Sequence, residues 1–308
     1  MREKIIKILC AAVAAVLLLT LCSCEGLPDD TEYAVVSTGN LSAENLYYTL
    51  YENGTAVITG RAGTDPHVVV PAQVDGHTVT AVADAAFLED TFICTVTLPK
   101  GVKSVGKSAF DGCSSMLYAD LGGGVTSIGA LAFSDCMNIV DVKGLDSLVT
   151  LGDYAFSNCG SLCTISFGNA LTSVGKEAFY ACSSLSSIAL PSSVASVGRG
   201  CFAYCASLTK VSLGGAEVIA EETFLACKSL SNVEISPKVT SIGDCAFRNC
   251  TSLQVMNLGK KLEKVGTSAF ENCAALDVVN YAGSRGAWNR IDIADGNDLL
   301  LRAHVYFG

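Results

Sequence analysis

Nine phenylalanines recur at a nearly constant spacing along this 308-residue chain. Successive members are 23 residues apart, except for one step of 22 residues that ends at Phe224. A fixed period of 20–50 residues is typical of repeat architectures, in which each unit buries its apolar face against its neighbours. The recurring residues are Phe87, Phe110, Phe133, Phe156, Phe179, Phe202, Phe224, Phe247 and Phe270.

Other residue types keep a fixed distance from each phenylalanine. An aliphatic residue stands five positions before it, and glycine stands four positions before it in most units. Cysteine follows three positions after it in eight units, and aliphatic residues follow at six, nine and mostly eleven positions. A regular unit, residues 171–191, reads LTSVGKEAFYACSSLSSIALP.

These columns predict one strand and two turns for each repeat. The segment L-x-x-I-x-L alternates apolar and polar residues, which indicates a half-buried strand, and a following Gly or Pro ends it. The segment G-x-x-A-F-x-x-C is too short for a stable helix and indicates a tight turn or a single helical turn. We therefore predict a mainly β repeat solenoid with nine rungs of about 23 residues and short helical or 3-10 turns, with each Ala-Phe pair buried opposite the strand.

The repeats resemble the BspA-like leucine-rich repeat family, a bacterial class with 23-residue units. The resemblance covers residues 68–281 and implies a leucine-rich repeat superhelix in an exported, surface-anchored protein; some members are adhesins. The unit that ends at Phe224 departs from the pattern, with Ala220 in the glycine column and Thr223 in the alanine column, and we expect a local bulge there. The matching motifs are SVGKSAFDGCSSM, SIGALAFSDCMNI, SVGKEAFYACSSL, SIGDCAFRNCTSL and KVGTSAFENCAAL.

The ends of the chain differ from its middle, as the terminal rungs of a solenoid require. Residues 46–78 are predicted to form an N-terminal hairpin about Asn53-Gly54 and an irregular first rung. Residues 79–281 form the repeat solenoid, and residues 282–308, which lose the period, form a C-terminal cap. The cap residues expected to cover the last rung are Trp288, Ile291, Ile293, Leu299 and Val305.

The first 23 residues are interpreted as a lipoprotein signal peptide. A basic start precedes an uncharged apolar stretch at residues 8–21, which is short for a membrane span and typical of a signal-peptide core. The following LCSC resembles a bacterial lipobox in which Cys24 carries the lipid; the alternative is an ordinary signal peptide with an incidental cysteine. Residues 24–45 are then an acidic flexible tether, and the expected location is the outer face of the bacterial envelope.

The charge balance excludes several kinds of partner. Removing residues 1–23 takes three bases and one acid from a chain of 20 bases and 30 acids, which leaves 17 and 29 and a net charge of −12. Such a chain does not favour nucleic acid or anionic lipid. Contact with a membrane is therefore expected only through the lipid anchor, and the chain is expected to be a monomer.

The cysteine column is interpreted as packing and not as chemistry. Parallel inward side chains do not aim their sulfur atoms at one another, so we expect buried free thiols that act as small hydrophobic groups. A linear column cannot surround a zinc ion, and the three histidines, His67, His77 and His304, lie only in the end regions. No metal, cofactor or catalytic residue is predicted, and the chain is interpreted as non-enzymatic. The column contains Cys113, Cys136, Cys159, Cys182, Cys205, Cys227, Cys250 and Cys273.

The outward positions of a continuous sheet are the remaining candidate for function. They are mostly small and polar, with Tyr118 as the only aromatic residue, so they favour weak or multivalent binding over a tight hot spot. We expect an adhesion or binding protein for an extracellular protein ligand; the alternatives are an envelope spacer without a ligand and a glycan-binding module. The candidate ligand-binding residues are Tyr118, Asp120, Asp141, Lys143, Lys210, Asn232, Glu234, Gln254 and Asn257.

Overall fold

The computed structural model describes residues 33–308, which form a β-solenoid of about 11 turns. Most regular turns have one short strand on either side of a buried core, so the strands build two walls along the solenoid. The prediction of a single strand for each repeat is therefore wrong, because a second short strand forms opposite the first. The mainly β repeat solenoid predicted from the period is confirmed. The nine predicted rungs are the regular part, and an irregular turn extends them at each end.

An antiparallel meander opens the fold. It consists of β1 (Val35–Leu41), β2 (Leu46–Tyr51) and β3 (Thr55–Arg61), and the predicted hairpin turn lies between β2 and β3. Gly54 has a φ of 80°, which an L side chain rarely adopts, and this explains the glycine in the turn. Strand β1 lies within residues 24–45, so the part of the predicted tether over residues 35–41 is an edge strand paired with β2.

The front wall contains the strands formed by the L-x-x-I-x-L segments, and these strands pair in parallel from rung to rung. In the three-residue strands the central residue is buried and its neighbours face solvent, as the alternation predicts. The front-wall strands are β4 (His67–Val69), β7 (Thr95–Thr97), β9 (Tyr118–Asp120), β11 (Asp141–Lys143), β14 (Ser187–Ala189), β16 (Lys210–Ser212), β18 (Asn232–Glu234), β20 (Val255–Leu258), β22 (Val278–Tyr281) and β24 (His304–Phe307).

The front wall is divided into three sheets, so the prediction of one continuous sheet is wrong. Residues 164–166 form no strand, and β18 is not paired with β20. The first break lies beside two repeats that lack the usual leucine eleven positions after the phenylalanine. Gly144 offers no side chain there, and Phe167 is only half-buried, with its ring edge-on to Phe179 at 6.3 Å.

The back wall consists of the strands on the side of the core opposite the front wall. Strand β3 pairs with β6 in parallel, which connects the N-terminal hairpin to the solenoid. Most back-wall strands have two residues. They are β5 (Gln73–Val74), β6 (His77–Val82), β8 (Ser104–Val105), β10 (Ser127–Ile128), β12 (Thr150–Leu151), β13 (Ser173–Val174), β15 (Ser196–Val197), β17 (Val218–Ile219), β19 (Ser241–Ile242), β21 (Lys264–Val265) and β23 (Asp292–Ile293).

The 22-residue unit interrupts the back wall. Its missing residue falls in the turn Gly214-Gly215-Ala216, and β15 and β17 are not paired across it. The expected irregularity is therefore present, as a break in the sheet. The break also explains Ala220 in the glycine column, because at the regular position of Gly175 an added Cβ would lie 2.5 Å from the backbone nitrogen of Asp153.

The nine phenylalanines form one stack through the core. Neighbouring rings have centroids 5.0–5.7 Å apart and planes inclined by 7–20°, within the range for stacked aromatic pairs. All nine side chains are buried, which confirms the alignment of the repeats. The segment that carries each Ala-Phe pair is a series of hydrogen-bonded tight turns, as in Ala109 N–H to Gly106 O and Cys113 N–H to Phe110 O, and not a helix over the regular rungs described. Of the two predicted alternatives, the tight turn is therefore the one observed.

The eight cysteines of the repeat column are fully buried, as expected, and each has a hydrogen-bonding role. Every Sγ donates to the carbonyl oxygen of the phenylalanine one rung back, at 3.0–3.2 Å. Burial raises the thiol pKa from an ordinary 9 to about 12 for Cys113, Cys205 and Cys273. The column therefore consists of protonated thiols that link consecutive rungs.

The two ends are closed differently. At the N-terminal end the guanidinium of Arg61, with a side chain only 5 % exposed, forms a two-pronged ion pair with Asp90 at 2.6 and 2.7 Å. At the C-terminal end α1 (Arg285–Trp288) and α2 (Asp298–Arg302) connect strands that extend both walls by one turn. The five predicted cap residues pack against the core, and Leu300, which we did not predict, is buried with them.

We expect Phe179→Ala to lower the free energy of unfolding by about 3–5 kcal/mol, because it leaves a cavity and removes two stacking contacts. Urea denaturation measures the loss, and hydrogen exchange should show that protection falls mainly in adjacent rungs. Ser187→Ala, on the exposed side of the same rung, is the control and should stay within about 0.5 kcal/mol of wild type. A uniform loss of protection along the chain would contradict this expectation.

The buried thiols should make stability fall at alkaline pH. Above pH ~9 the unfolded chain loses thiol protons that the folded chain retains up to pH about 12, so unfolding becomes easier by up to ~1.4 kcal/mol per pH unit for each thiol. Urea denaturation between pH 7 and 10.5 measures this slope. Cys205→Ala should reduce it and Cys163→Ala, at an exposed thiol, should not; equal slopes for both variants would refute the assignment.

Candidate recognition surfaces

The outward residues of the front wall form two columns of side chains in strand register. One column contains Thr95, Tyr118 and Asp141, and the other contains Thr97, Asp120 and Lys143. Because the alternate residues of each strand are buried, these side chains are held on the solvent side of a rigid wall. We call the outward residues of the front-wall strands, from β4 to β24, the front face.

The structure places all nine candidate ligand-binding residues on the front face or at its margin, but in three separate sheets. The residues on β9 and β11 share the first sheet, and those on β16 and β18 share the second. Asn257 lies on β20 in the third sheet, and Gln254 directly precedes that strand. Asp141 is half-buried and the other eight residues are exposed.

The charges of the front face are largely paired with one another. The Nζ atom of Lys210 lies 3.1 Å from a carboxylate oxygen of Glu234 on the next strand, and Lys143 lies 3.5 Å from Asp141. Exposed pairs of this kind contribute roughly 0–1 kcal/mol each. The face therefore presents little net charge to a partner, and Tyr118, which is 52 % exposed, is its largest aromatic side chain before the third sheet.

The C-terminal cap adds an aromatic residue that we did not predict. Tyr306 on β24 stands in register with Asn280 and, one strand further, with Asn257. Its ring is 62 % exposed, so it belongs to the front face. The alternation of HVYF at residues 304–307 was a signal for this strand, but the loss of the 23-residue period concealed its register.

Beside these residues is an open pocket of about 450 Å³. Its floor and sides combine residues from four consecutive turns, including aromatic rings and two side-chain amides. No charged side chain lines it. The lining residues are Ile235, Pro237, Asn257, Leu258, Gly259, Asn280, Tyr281, Ala282, Tyr306, Phe307 and Gly308.

A second group of aromatic residues lies at the turns that carry the Ala-Phe pairs, with Tyr204 exposed and Tyr154 and Tyr180 half-buried. The rings of Tyr180 and Tyr204 are 5.3 Å apart, and the Nζ atom of Lys176 lies 5.2 Å from the centre of the Tyr154 ring. Arg199 forms two hydrogen bonds with Glu222 at 2.9 and 3.2 Å. We call Tyr154, Lys176, Tyr180, Arg199 and Tyr204 together the tyrosine edge.

The electrostatics of the tyrosine edge follow from these contacts. The hydrogen bond to Tyr154, with a smaller effect of Glu177, raises the pKa of Lys176, and burial raises the pKa of Tyr180. Lys176 therefore stays charged and Tyr180 stays neutral at physiological pH. The cluster is not evident from the sequence, because its five members are spread over three repeats and four columns and come together only when the rungs stack.

The sites considered for chemistry remain separate in the structure. His67 contacts the hydroxyl of Thr95, and His77 contacts the backbone oxygen of Asp75. Over residues 33–308, no group of three or more His, Cys, Asp and Glu residues is arranged to hold a metal ion. Within the same range, no helix is long and apolar enough to cross a membrane. Cys24 lies outside the described residues.

Comparison with protein families identifies the repeats. The profile described as BspA type leucine rich repeat region matches six copies over residues 80–209 and 217–284, which is more than half of the chain. The gap in the match, residues 210–216, coincides with the shortened turn of the 22-residue unit. A search of curated proteins found no significant match.

Solved structures with a similar fold are bacterial leucine-rich repeat proteins. A T. pallidum leucine-rich repeat protein is 26% identical over 76% of this chain and 89% of its own, with a TM-score of 0.51. A leucine-rich cell surface protein from Faecalibacterium prausnitzii is 20% identical over 87% of this chain and 99% of its own, with a TM-score of 0.46. The pneumococcal vaccine antigen PcpA is 17% identical over 88% of each chain, with a TM-score of 0.45.

Proposed function

This chain belongs to the BspA-type leucine-rich repeat family, and from that premise we propose that it is an exported, non-catalytic binding protein that presents its front face to an extracellular protein. It acts as a monomer anchored to the outer face of the bacterial envelope. The observation that carries the proposal is the register of the front face, where outward side chains of successive rungs align above a buried core. Solenoids commonly use such extended surfaces for recognition.

The composition of the front face supports a broad and weak interface. Tight protein interfaces concentrate binding energy in a few Trp, Tyr and Arg side chains. The front face has small polar residues, paired charges and isolated aromatic residues, so each rung contributes little on its own. Several rungs, or several displayed copies, would have to act together to hold a partner.

The tyrosine edge is a second surface for the same function. It combines three tyrosines with an arginine, the residue types enriched at interface hot spots. Tyr204 and Arg199 are exposed, at 46 % for Tyr204. A partner that requires one compact anchor would therefore bind at this edge, and a partner that follows several rungs would bind at the front face.

Export and anchoring rest on the N-terminal sequence. The apolar stretch at residues 8–21, followed by LCSC, supports cleavage before Cys24 and lipidation of that residue. A single saturated chain binds membranes only marginally, so stable attachment requires the further acyl chains that a bacterial lipoprotein carries. The alternative, a spacer with no specific ligand, shares this anchor and differs only in the absence of a partner.

We expect the variant Tyr118→Ala, Asp141→Ala, Lys210→Ala and Glu234→Ala to weaken binding without unfolding the protein. A partner is first isolated by pull-down with the wild-type chain from residue 24 onward. Surface plasmon resonance then measures the affinity of that partner for the wild-type chain and for the quadruple variant. The four side chains point away from the core, so each change should stay within about 0.5 kcal/mol of wild-type stability.

The matched control combines Tyr204→Ala with Arg199→Ala at the tyrosine edge. The front-face proposal holds if the quadruple variant binds more weakly and this control does not. The reverse result would assign binding to the tyrosine edge. If no partner is captured reproducibly by the wild-type chain, the spacer alternative is favoured.

Anchoring is tested separately in the bacterium. Metabolic labelling with a palmitate analogue should mark the wild-type protein, and Cys24→Ala should abolish the label because the acceptor sulfur is absent. Cys22→Ala is the control and should retain the label. Label on the Cys24 variant, or wild-type protein found free in the medium, would contradict the lipoprotein interpretation.

A further inference from the structure

The pocket at the C-terminal end of the front face differs from the rest of that face. It is concave, and its volume of about 450 Å³ lies within the ~300–1,000 Å³ typical of small-molecule sites. It forms where β18 and β20 are not paired, so the third sheet stands apart from the second and the turn at Pro237 becomes one of its sides. The pocket therefore depends on an irregularity of the repeats.

Two amides supply the polar groups. The Nδ2 atom of Asn280 donates to the Oδ1 atom of Asn257 at 2.8 Å, across β20 and β22. A side-chain amide has two N–H donors and one oxygen acceptor. This bond uses one donor of Asn280, so the amide nitrogen of Asn257 and the amide oxygen of Asn280 are available to hydroxyl groups of a ligand. The ladder also fixes the orientation of both amides before binding.

Aromatic and apolar surface supplies the rest of the pocket. Tyr306 continues the row of Asn257 and Asn280, and its exposed ring offers a flat platform beside the amides. Phe307 and Pro237 contribute apolar surface, and Tyr281 forms the buried side. A ligand that suits this arrangement has an apolar face for the ring and hydroxyl groups at its rim. No lining side chain could neutralise a charge on it.

A pyranose ring has these properties: C–H groups cover its faces and hydroxyl groups project from its edge. We propose that this pocket binds an uncharged saccharide, with Tyr306 as the stacking platform and Asn257 and Asn280 as the hydroxyl partners. The site occupies the third sheet of the front face, whereas the protein-binding experiment tests residues of the first two sheets. The chain would then hold a neutral glycan at one end of the solenoid and leave the rungs from β7 to β18 for a protein.

The experiment titrates the chain from residue 24 onward with four neutral probes: maltohexaose, cellohexaose, xylohexaose and mannohexaose. Isothermal titration calorimetry measures affinity, and saturation-transfer NMR identifies the sugar protons that contact the protein. The single tryptophan is an internal reporter, because Trp288 lies edge-on to Tyr281 with ring centroids 5.4 Å apart. At least one probe should bind and change the tryptophan fluorescence.

Variants locate the site. Tyr306→Ala should weaken binding at least tenfold, and Tyr306→Phe, which keeps the ring, should retain most of it. Asn257→Ala should also weaken binding, whereas Phe92→Ala, at an exposed aromatic residue outside the front-wall strands, should have no effect. All three substituted positions are exposed, so melting temperatures should confirm that the variants fold.

Three results would overturn the proposal. The first is the absence of binding by all four probes at millimolar concentration. The second is an unchanged affinity after Tyr306→Ala, which would place any bound sugar elsewhere. The third is binding of the acidic probe hexagalacturonate as tight as that of the neutral probes, because the pocket has no cation to hold it. None of these results bears on the protein-binding experiment, which uses different residues.

Discussion

The close approach of successive rungs is the constraint on which the rest of this structure depends. At a spacing of about 4.8 Å between strands, the phenylalanine rings stack, and each cysteine thiol reaches the phenylalanine carbonyl one rung back. The same spacing excludes a Cβ atom from the glycine column, where it would meet the preceding backbone. Aromatic, thiol and glycine columns are therefore three consequences of one distance.

The tight turn around each phenylalanine adds a second requirement. Two residues of every regular turn, two positions before and two positions after the phenylalanine, have positive φ, as in Tyr154 and Asn158 at 57° and 58°. Glycine occupies these positions only at Gly112 and Gly200. The conformation is thus imposed by packing on side chains that do not favour it. The stacking of rungs must offset this local cost, so a single isolated repeat would not keep the turn.

The sequence predicted the features that recur in every repeat. It did not predict the features that depend on contacts between residues that differ from one repeat to the next. The period located the buried columns and the strands of the front wall, and turn chemistry located the hairpin at Asn53-Gly54. It did not predict the two-residue strands of the back wall. It did not locate the breaks in the front wall, which depend on how residues such as Gly144 and Phe167 fit adjacent rungs. The alternation predicted the outward placement of the candidate residues on the front wall, whereas Tyr306 and the tyrosine edge are evident only from the register of the assembled rungs.

A strict repeat also limits where specificity can arise. The inward columns are fixed by the core, and identical rungs offer a partner the same small groups at every step. Distinct shapes therefore require departures from the period, and this chain has them at the shortened unit, at the break between β18 and β20, and at the terminal turn. The pocket with Tyr306 lies where two of these departures meet. The regular rungs provide a rigid support, and the irregular positions provide the surfaces that can distinguish one ligand from another.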